Sequence, residues 1–412
     1  MNQLLSLGLI LLLALLAGHL VRVVRIPEVT GYLLAGVVLG PSVLGWLSEE
    51  NLISMSVFSE VALGLILFSV GTVFEFSLFR RIGRHVLLLT LGESAAAAVL
   101  VTTGMLVLGQ PWQVAVLLGA IATATAPAST LMVIRESDSA GPLTDSLLGV
   151  VAVNNVFCIT AFSIVAAAIE LLSPGGASGV LVSFYRSAYL LVWQLVGSIA
   201  LGFLVGLLLA GWSSQVTEGG EVLILLAGSI LLCVGVSRAL DLSPFVSSLA
   251  VGATMVNLAQ RSWHLAEALA ATDPPFYAIF FVIAGAELDT SLVPAMGAAG
   301  LVYVIGRASG KLLGARAMAH WLGLDANIQR YLGLSLLAQA GLAIGLTLSV
   351  NVRFPLLAPL VSTIVLASVA IYEMVGPVST RFALGRAGEV TRARTRGASV
   401  DLEPMTGAPR GL

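Results

Sequence analysis

Long apolar runs separated by short polar linkers recur along almost the whole chain. Runs of about 18 or more residues match the length of a helix that crosses a bilayer. The pattern predicts an all-α polytopic membrane protein with about thirteen spans, because helices satisfy their own backbone polar groups in lipid. The predicted spans lie near 3–21, 29–46, 54–72, 85–108, 112–133, 141–171, 187–211, 220–237, 243–258, 274–290, 294–321, 328–350 and 357–382.

The remainder of the chain is predicted to be a short tail. Residues 383–412 are polar and Arg-rich and too few for a regulatory domain, so 1–382 is predicted to form one membrane domain. The leader of the first span carries no positive charge, and Arg22 and Arg25 follow the span instead of preceding it. This order is typical of a retained helix with its N-terminus outside, not of a cleaved signal peptide.

Composition supports the membrane prediction. The chain is 58% hydrophobic and 10% charged, whereas soluble domains carry about 25% charged residues. The net charge of −2 gives no field that would recruit nucleic acid. Cys158 and Cys233 lie in apolar segments outside any C-x-x-C pattern and are interpreted as small buried hydrophobic residues. The sequence offers no nucleophile–base pair, metal cluster or phosphate loop, so we expect no enzyme, cofactor or metal site.

The arginines predict the orientation. With the N-terminus outside and thirteen spans, fifteen arginines fall in inside loops and the tail. The outside loops hold only three, which are Arg186, Arg238 and Arg353. This asymmetry fits the positive-inside rule. The prediction is a cytoplasmic C-terminus.

Two similar segments predict an internal repeat. Pro27–Gly36 opens the second span and Ser243–Gly252 opens the ninth, and both read Pro, then Val two residues later, then a run with small residues. The two spans are seven apart, an odd number, so the two copies run in opposite directions. Inverted-topology repeats are typical of secondary transporters.

Two spans seven apart are predicted to be broken helices. In the fifth span, Pro127 removes a helical hydrogen bond, and Thr123 and Thr125 can replace the freed backbone partners. In the twelfth span, Gln339 is a lone polar side chain beside Gly341. Interrupted helices in matching positions of two repeats are the best sequence pointer to a transport site. The alternatives are a simple proline kink and close glycine packing.

A few polar and charged residues fall inside other spans. Asn154 and Asn155 are adjacent amides in the sixth span, where the alternative role is hydrogen bonding between helices. Glu93 lies in the fourth span, and Arg307 and Lys311 lie one turn apart in the eleventh. Buried charges are costly and by default mark function. Because the fourth and eleventh spans are also repeat mates, Glu93 is predicted to face Arg307 or Lys311; a purely structural ion pair is the alternative.

Other acidic residues could not be assigned from the sequence. Glu60 and Glu373 lie near span interiors, but the pattern does not say which way they face. Glu287 and Asp289 lie at the outer end of the tenth span, where a solvated end is the expected role.

Several ordered blocks resemble one family. These are PEVTGYLLAGVVLGP (27–41), LGLILFSVGTVFEFSLFRRIGR (63–84), FFVIAGAELD (280–289), GRASGKLLGA (306–315), LAQAGLAIG (337–345) and EMVGPVSTRFALGRAGE (373–389). Together they resemble the monovalent cation:proton antiporter superfamily, which includes bacterial sodium/proton exchangers and potassium-efflux antiporters. The resemblance implies a dimerisation domain, a core domain with two crossed broken helices, and alternating access. It also implies a homodimer in the bacterial inner membrane.

The resemblance places the family's ion-binding pair on Asn154 and Asn155. The carboxylate on which the family exchanges a cation for a proton falls on Asn155, and Arg307 falls where the family carries a basic residue facing the pair. An amide can coordinate a cation but cannot carry a proton at neutral pH. The sequence therefore predicts little or no sodium- or potassium-driven proton movement, and predicts that Asn155→Asp would create it.

Two other functions remain open at the level of the sequence. Arg307 and Lys311 exceed Glu93 by one charge, which would suit a carrier for an anion or a small organic solute. A non-transporting membrane sensor or scaffold on the same fold is the other alternative, because fold does not fix function. The expected partners are a monovalent cation, protons, the lipid bilayer and a second copy of the chain.

Overall fold

The structure is a computed structural model that describes residues 3–24, 26–72, 76–172, 192–213, 215, 219–258 and 262–390. The first half holds α1 Gln3–Val23, α2 Glu28–Leu39, α3 Glu49–Gly71, α4 Phe76–Val107, α5 Trp112–Ala122, α6 Pro127–Glu136 and α7 Pro142–Leu172. The second half holds a π-helical turn Trp193–Gly197, α8 Ser198–Ser213, α9 Gly219–Ala239, α10 Pro244–Leu258, α11 Ser262–Ala286, α12 Leu292–Ala295, α13 Gly297–Trp321, α14 Ala326–Ser335, α15 Gly341–Arg353 and α16 Ala358–Ala387.

These helices account for the thirteen predicted spans. Within the described residues, eight helical segments are long and apolar enough to cross a membrane, and four shorter apolar helices accompany them. One of the eight, Trp112–Glu136, comprises α5 and α6. The remaining span is α13, which carries Arg307, Lys311 and Arg316 and is therefore more polar. The prediction of an all-α polytopic protein is confirmed.

Some boundaries differ from the predicted ones. The helix α2 ends at Leu39, short of the predicted residue 46, because Gly40-Pro41 follows and proline disfavours a helix before it. The helix α11 begins at Ser262, twelve residues before the prediction, because it continues through Pro274 and Pro275. The helix α16 runs past the predicted residue 382 to a left-handed cap at Gly388. Residues 391–412 of the predicted tail lie outside the described residues.

Glycines bring the helices of the repeat into backbone contact. A Cβ on Gly36 of α2 would lie 2.1 Å from the carbonyl oxygen of Val282 in α11. A Cβ on Gly252 of α10 would lie 2.1 Å from the carbonyl oxygen of Phe68 in α3. The first contact joins spans two and ten, and the second joins spans nine and three. Spans two and nine are repeat mates, and so are spans three and ten. The two glycine contacts are therefore equivalent contacts in the two repeats.

The helices pack as two groups. We call α1–α3 and α8–α11 the scaffold, and α4–α7 and α13–α16 the core. In the core, α4 packs closely on its repeat mate α13, where a Cβ on Gly310 would lie 2.3 Å from Ala97 Cα. A Cβ on Gly314 would likewise lie 2.5 Å from the carbonyl oxygen of Gly92. This close seam brings Glu93 of α4 beside Lys311 of α13.

Candidate ion site at the crossing of two broken helices

The two interrupted spans meet at their breaks. The first break is residues 123–126, between α5 and α6, and the second is 336–340, between α14 and α15. The Ala126 N–H donates to the carbonyl oxygen of Ala338 at 3.0 Å, so the breaks are hydrogen-bonded to each other. Pro127 occupies the first turn of α6, where its missing N–H leaves no helical bond unmade. The predicted broken helices and their crossing are confirmed.

Arg307 is fully buried at this crossing, and its hydrogen bonds go to main-chain carbonyl groups. Its Nε, Nη1 and Nη2 atoms donate to carbonyl oxygens at 2.6–3.3 Å. The acceptors are Ala122, Ala124, Leu337 and Ala338. Its guanidinium also lies 4.3 Å from the ring centroid of Tyr372. The ends of α5 and α14 carry partial negative charge, so Arg307 neutralises both breaks. The resemblance placed Arg307 where the family carries a basic residue facing the Asn pair, but its hydrogen bonds are with these four carbonyl groups.

Lys311 and Glu93 form a buried ion pair, and both side chains are fully buried. The Lys311 Nζ also donates to the Thr123 carbonyl oxygen at 2.7 Å and to Thr125 Oγ1 at 2.8 Å. Its three N–H groups therefore each have a partner. Of the two cations predicted to face Glu93, the structure pairs it with Lys311.

Asn154 ties the first break to α4. Its Oδ1 accepts from the Thr125 N–H at 2.9 Å. Its Nδ2 lies 2.8 Å from Glu93 Oε1, 3.1 Å from Ser94 Oγ and 2.9 Å from the Thr123 carbonyl oxygen. The oxygen and the nitrogen of the Asn154 amide therefore both form hydrogen bonds to the main chain of the break. Thr123 itself donates through Oγ1 to Ala120 at the end of α5, at 2.8 Å.

Asn155 and Gln339 differ from Asn154 because each keeps an unused acceptor. Both residues are at least 97% buried, and neither Asn155 Oδ1 nor Gln339 Oε1 has a hydrogen-bond donor. The Gln339 Nε2 donates to the Ile121 carbonyl oxygen at 3.2 Å and to Tyr303 Oη at 3.0 Å. Buried oxygens without donors are rare and commonly mark the place of a water or an ion. Asn155 Oδ1 and Gln339 Oε1 are therefore candidate ligands for an ion.

Three contributors were missed by the sequence analysis. Ser94 donates to Glu93 Oε1 at 2.9 Å, Tyr303 binds Gln339, and Tyr372 stacks on Arg307. Tyr303 precedes Arg307 by one helical turn, and this spacing was an available signal. Glu373, whose face could not be assigned, is buried with neither carboxylate oxygen hydrogen-bonded. Cys158 and Cys233 are free and buried, as predicted.

A polar bridge joins scaffold and core at the face of the bundle where α16 ends, which we call the tail face. The Glu28 N–H, at the start of α2, donates to Glu136 Oε2 at 2.7 Å. Arg381 Nη1 of α16 donates to Glu136 Oε1, also at 2.7 Å. Glu136 ends α6, so the bridge holds three helices of the two groups together at the tail face.

A bundle of inverted repeats with two broken helices crossing in its core defines a secondary transporter fold. Comparison with known proteins gives the family. Residues 8–385 match the profile described as sodium/hydrogen exchanger, transmembrane. The chain therefore belongs to the sodium/hydrogen exchanger family.

Individual relatives are distant. The chain is 25% identical to a Na(+)/H(+) antiporter of Enterococcus hirae over 82% of this chain and 86% of that protein. It is 24% identical to the iron transporter MagA of Paramagnetospirillum magneticum over 69% of this chain, but the match spans only 64% of MagA. Two structures of the sodium proton antiporter MjNhaP1 of Methanocaldococcus jannaschii give TM-scores of 0.71 and 0.72 at 18% identity. They cover 94% and 95% of this chain and 97% of MjNhaP1 in both cases.

Proposed function

We propose that this chain exchanges a monovalent cation, sodium or potassium, against protons by alternating access. The core moves against the scaffold, and the scaffold forms the contact of a homodimer in the bacterial inner membrane. The N-terminus lies outside and the tail is cytoplasmic. Membership of the sodium/hydrogen exchanger family supports the cation and the proton as substrates.

The observation that carries this proposal is the charge balance of the crossing. Lys311 is cancelled by Glu93, and Arg307 is spread over four carbonyl ends. The buried side-chain oxygens without a hydrogen-bond partner in the described residues include the neutral amide oxygens of Asn155 and Gln339. Amide and carbonyl oxygens suit hard cations, whereas softer transition metals favour nitrogen and sulfur ligands. An alkali cation therefore fits this site better than the iron named for MagA.

The same balance removes the main support for an anion carrier. That alternative needed a surplus positive charge with free donors in the core. The three Lys311 N–H groups have acceptors, and Arg307 places four donor contacts on main-chain oxygens. An anion entering the crossing would have to displace these contacts. The other alternative, a membrane sensor or structural protein that transports nothing, is one outcome of the flux test below.

Asn155 is proposed as a cation ligand that carries no proton. Its Oδ1 is buried and without a donor, so a cation can use it. Asn154 is committed to the first break through its bonds to Thr125 and Glu93 and is proposed to hold the site's shape. Thr123, Thr125 and Pro127 are proposed to act in the same way, through the backbone of the break.

Cation counterflow tests this proposal without depending on proton coupling. Proteoliposomes loaded with unlabelled sodium or potassium should accumulate radiolabelled sodium or rubidium from outside. Asn155→Ala should lower the initial rate about tenfold, because it removes the proposed cation ligand. Asn257→Ala is the matched control, since Asn257 lies in α10 of the scaffold and bonds the Ala253 carbonyl oxygen of its own helix. If the folded wild type shows no counterflow of sodium, potassium or lithium, the alternative of a non-transporting sensor or structural protein would be favoured.

A further inference from the structure

Glu373 is a buried acid that the crossing does not use. It lies midway along α16 and is 3% exposed, and neither of its carboxylate oxygens has a hydrogen-bond partner. It lines a cavity of about 280 Å³. The described residues that line this cavity include no basic side chain. A lone carboxylate inside a membrane protein is costly unless a proton or a cation neutralises it.

The cavity lies between scaffold and core. Its scaffold side is formed by Ser59 and Leu63 of α3 and by the end of α11, and its core side by α15 and α16. Glu287 and Asp289, just after α11, lie on its wall and are exposed. A second cavity of about 550 Å³ shares these two acids. The pair of cavities thus connects exposed acids with the buried one at the face opposite the tail face.

The charges around Glu373 act on it in two opposite directions. Glu287 and Asp289 have the same sign as Glu373 and would attract cations into the cavity. Ala340 and Gly341, where α15 begins, also line the cavity, and a helix start favours a carboxylate over the neutral acid. On α13, Arg307 lies against Tyr372, the residue before Glu373 in the chain, and donates to carbonyl groups. On α16 itself, Arg381 lies two turns away and is paired with Glu136.

The inverted repeat gives Glu373 a meaningful position. The helix α16 is the thirteenth span and α7 is the sixth, so they are seven apart and are repeat mates. Asn154 and Asn155 lie near the middle of α7, and Glu373 lies near the middle of α16. Near its middle, α7 carries two amide side chains, whereas its repeat mate α16 carries the carboxylate of Glu373.

We propose that Glu373 is the exchangeable carboxylate of this carrier, the group whose proton leaves when a monovalent cation enters from the cavity. One proton is released for one cation bound, so the charge of the site is the same in both states. This proposal rests on the proposed cation carrier and adds its proton-coupling group. It replaces the expectation, based on the Asn pair alone, that proton movement is lost.

Two fluxes measured on the same proteoliposomes test the proposal. An internal pH dye reports cation-driven proton movement, and labelled-cation counterflow reports cation exchange. In the wild type we expect both, with counterflow slowing on acidification because protons compete for Glu373. In Glu373→Gln we expect proton movement to fall at least tenfold, while counterflow at saturating cation persists and loses its pH dependence.

Matched variants separate this role from a structural one. Glu373→Asp keeps the carboxylate and should retain coupling. Glu60→Gln removes an acid of scaffold helix α3 that pairs with Arg238, and it should leave both fluxes unchanged. Proton movement that survives in Glu373→Gln would overturn the proposal. Wild-type counterflow without proton movement would also overturn it while leaving the cation carrier standing, and absence of counterflow would overturn both.

Discussion

The buried pair of Glu93 and Lys311 allows a quantitative test of what holds the core together. Lys311→Met leaves Glu93 with the two neutral donors Asn154 Nδ2 and Ser94 Oγ. Glu93→Gln leaves Lys311 with the Thr123 carbonyl oxygen and Thr125 Oγ1. Both side chains are 0% exposed, so each single variant leaves one full buried charge without its oppositely charged partner. The double variant strands neither charge.

The expected energies follow from this difference. Removing one partner of a buried pair costs about 3–5 kcal/mol, because an uncompensated charge remains. In the double variant, the Gln oxygen can still accept from Asn154 and Ser94, and the main loss is the unpaired acceptors left by Lys311. That loss is about 1–3 kcal/mol. The double variant should therefore be more stable than either single variant, with a coupling energy of at least about 3 kcal/mol.

The assay is a double-mutant cycle of equilibrium unfolding in mixed detergent micelles, followed by tryptophan fluorescence and circular dichroism. The control cycle uses Glu170 and Arg353, whose contacts are 2.8–3.0 Å but whose side chains are 30% and 29% exposed. Such a pair should couple by about 0.2–1 kcal/mol. Equal coupling in the two cycles, or a double variant as unstable as the sum of its singles, would refute the reasoning.

Three further outcomes are expected. Asn155→Asp should add a second proton-exchange group, seen as cation-driven proton movement that persists in the Glu373→Gln background; a folded but silent variant would mean that position 155 does not reach the cation. Gly36→Leu should prevent the contact of α2 with α11 and lower the folded yield on size-exclusion chromatography, whereas Gly228→Leu, which meets nothing within 4 Å, should not. A C-terminal reporter should be active only in the cytoplasm, and activity outside would reverse the topology.

Much of the fold could be predicted because hydropathy alone reports membrane spans. The Glu93–Lys311 pair was predictable for a different reason, since buried charges need partners and the two spans are repeat mates. The breaks were predictable from Pro127 and from the glycines after Gln339. The early start of α11 was not, because Pro274-Pro275 reads as a helix boundary but lies within the helix.

The missed features of the site have physical causes. The role of Arg307 depends on main-chain carbonyl groups, which every residue carries, so no side-chain pattern shows that four of them converge. The direction of Glu373 was hidden because α16 is apolar around most of its circumference and has no polar stripe to orient it. Only the packing of α16 against its neighbours places that carboxylate at a cavity.

Under the alternating-access mechanism proposed above, the bridge at Glu136 makes the two sides of the membrane unequal for a binding cation. Because the Glu28–Glu136 bond joins scaffold and core at the tail face and the cavity beside Glu373 lies at the opposite face, a cation that arrives from the opposite face would need no bond to break first. A cation that arrives from the tail face binds only the fraction of molecules in which the bridge has opened, and its apparent affinity falls by that fraction. Only the Glu28 bond joins scaffold to core, since Arg381 and Glu136 both lie in the core. One hydrogen bond to a charged group contributes about 1.5–3 kcal/mol. Half-saturation should therefore differ at least about tenfold between the two faces, and Glu136→Gln should narrow the gap.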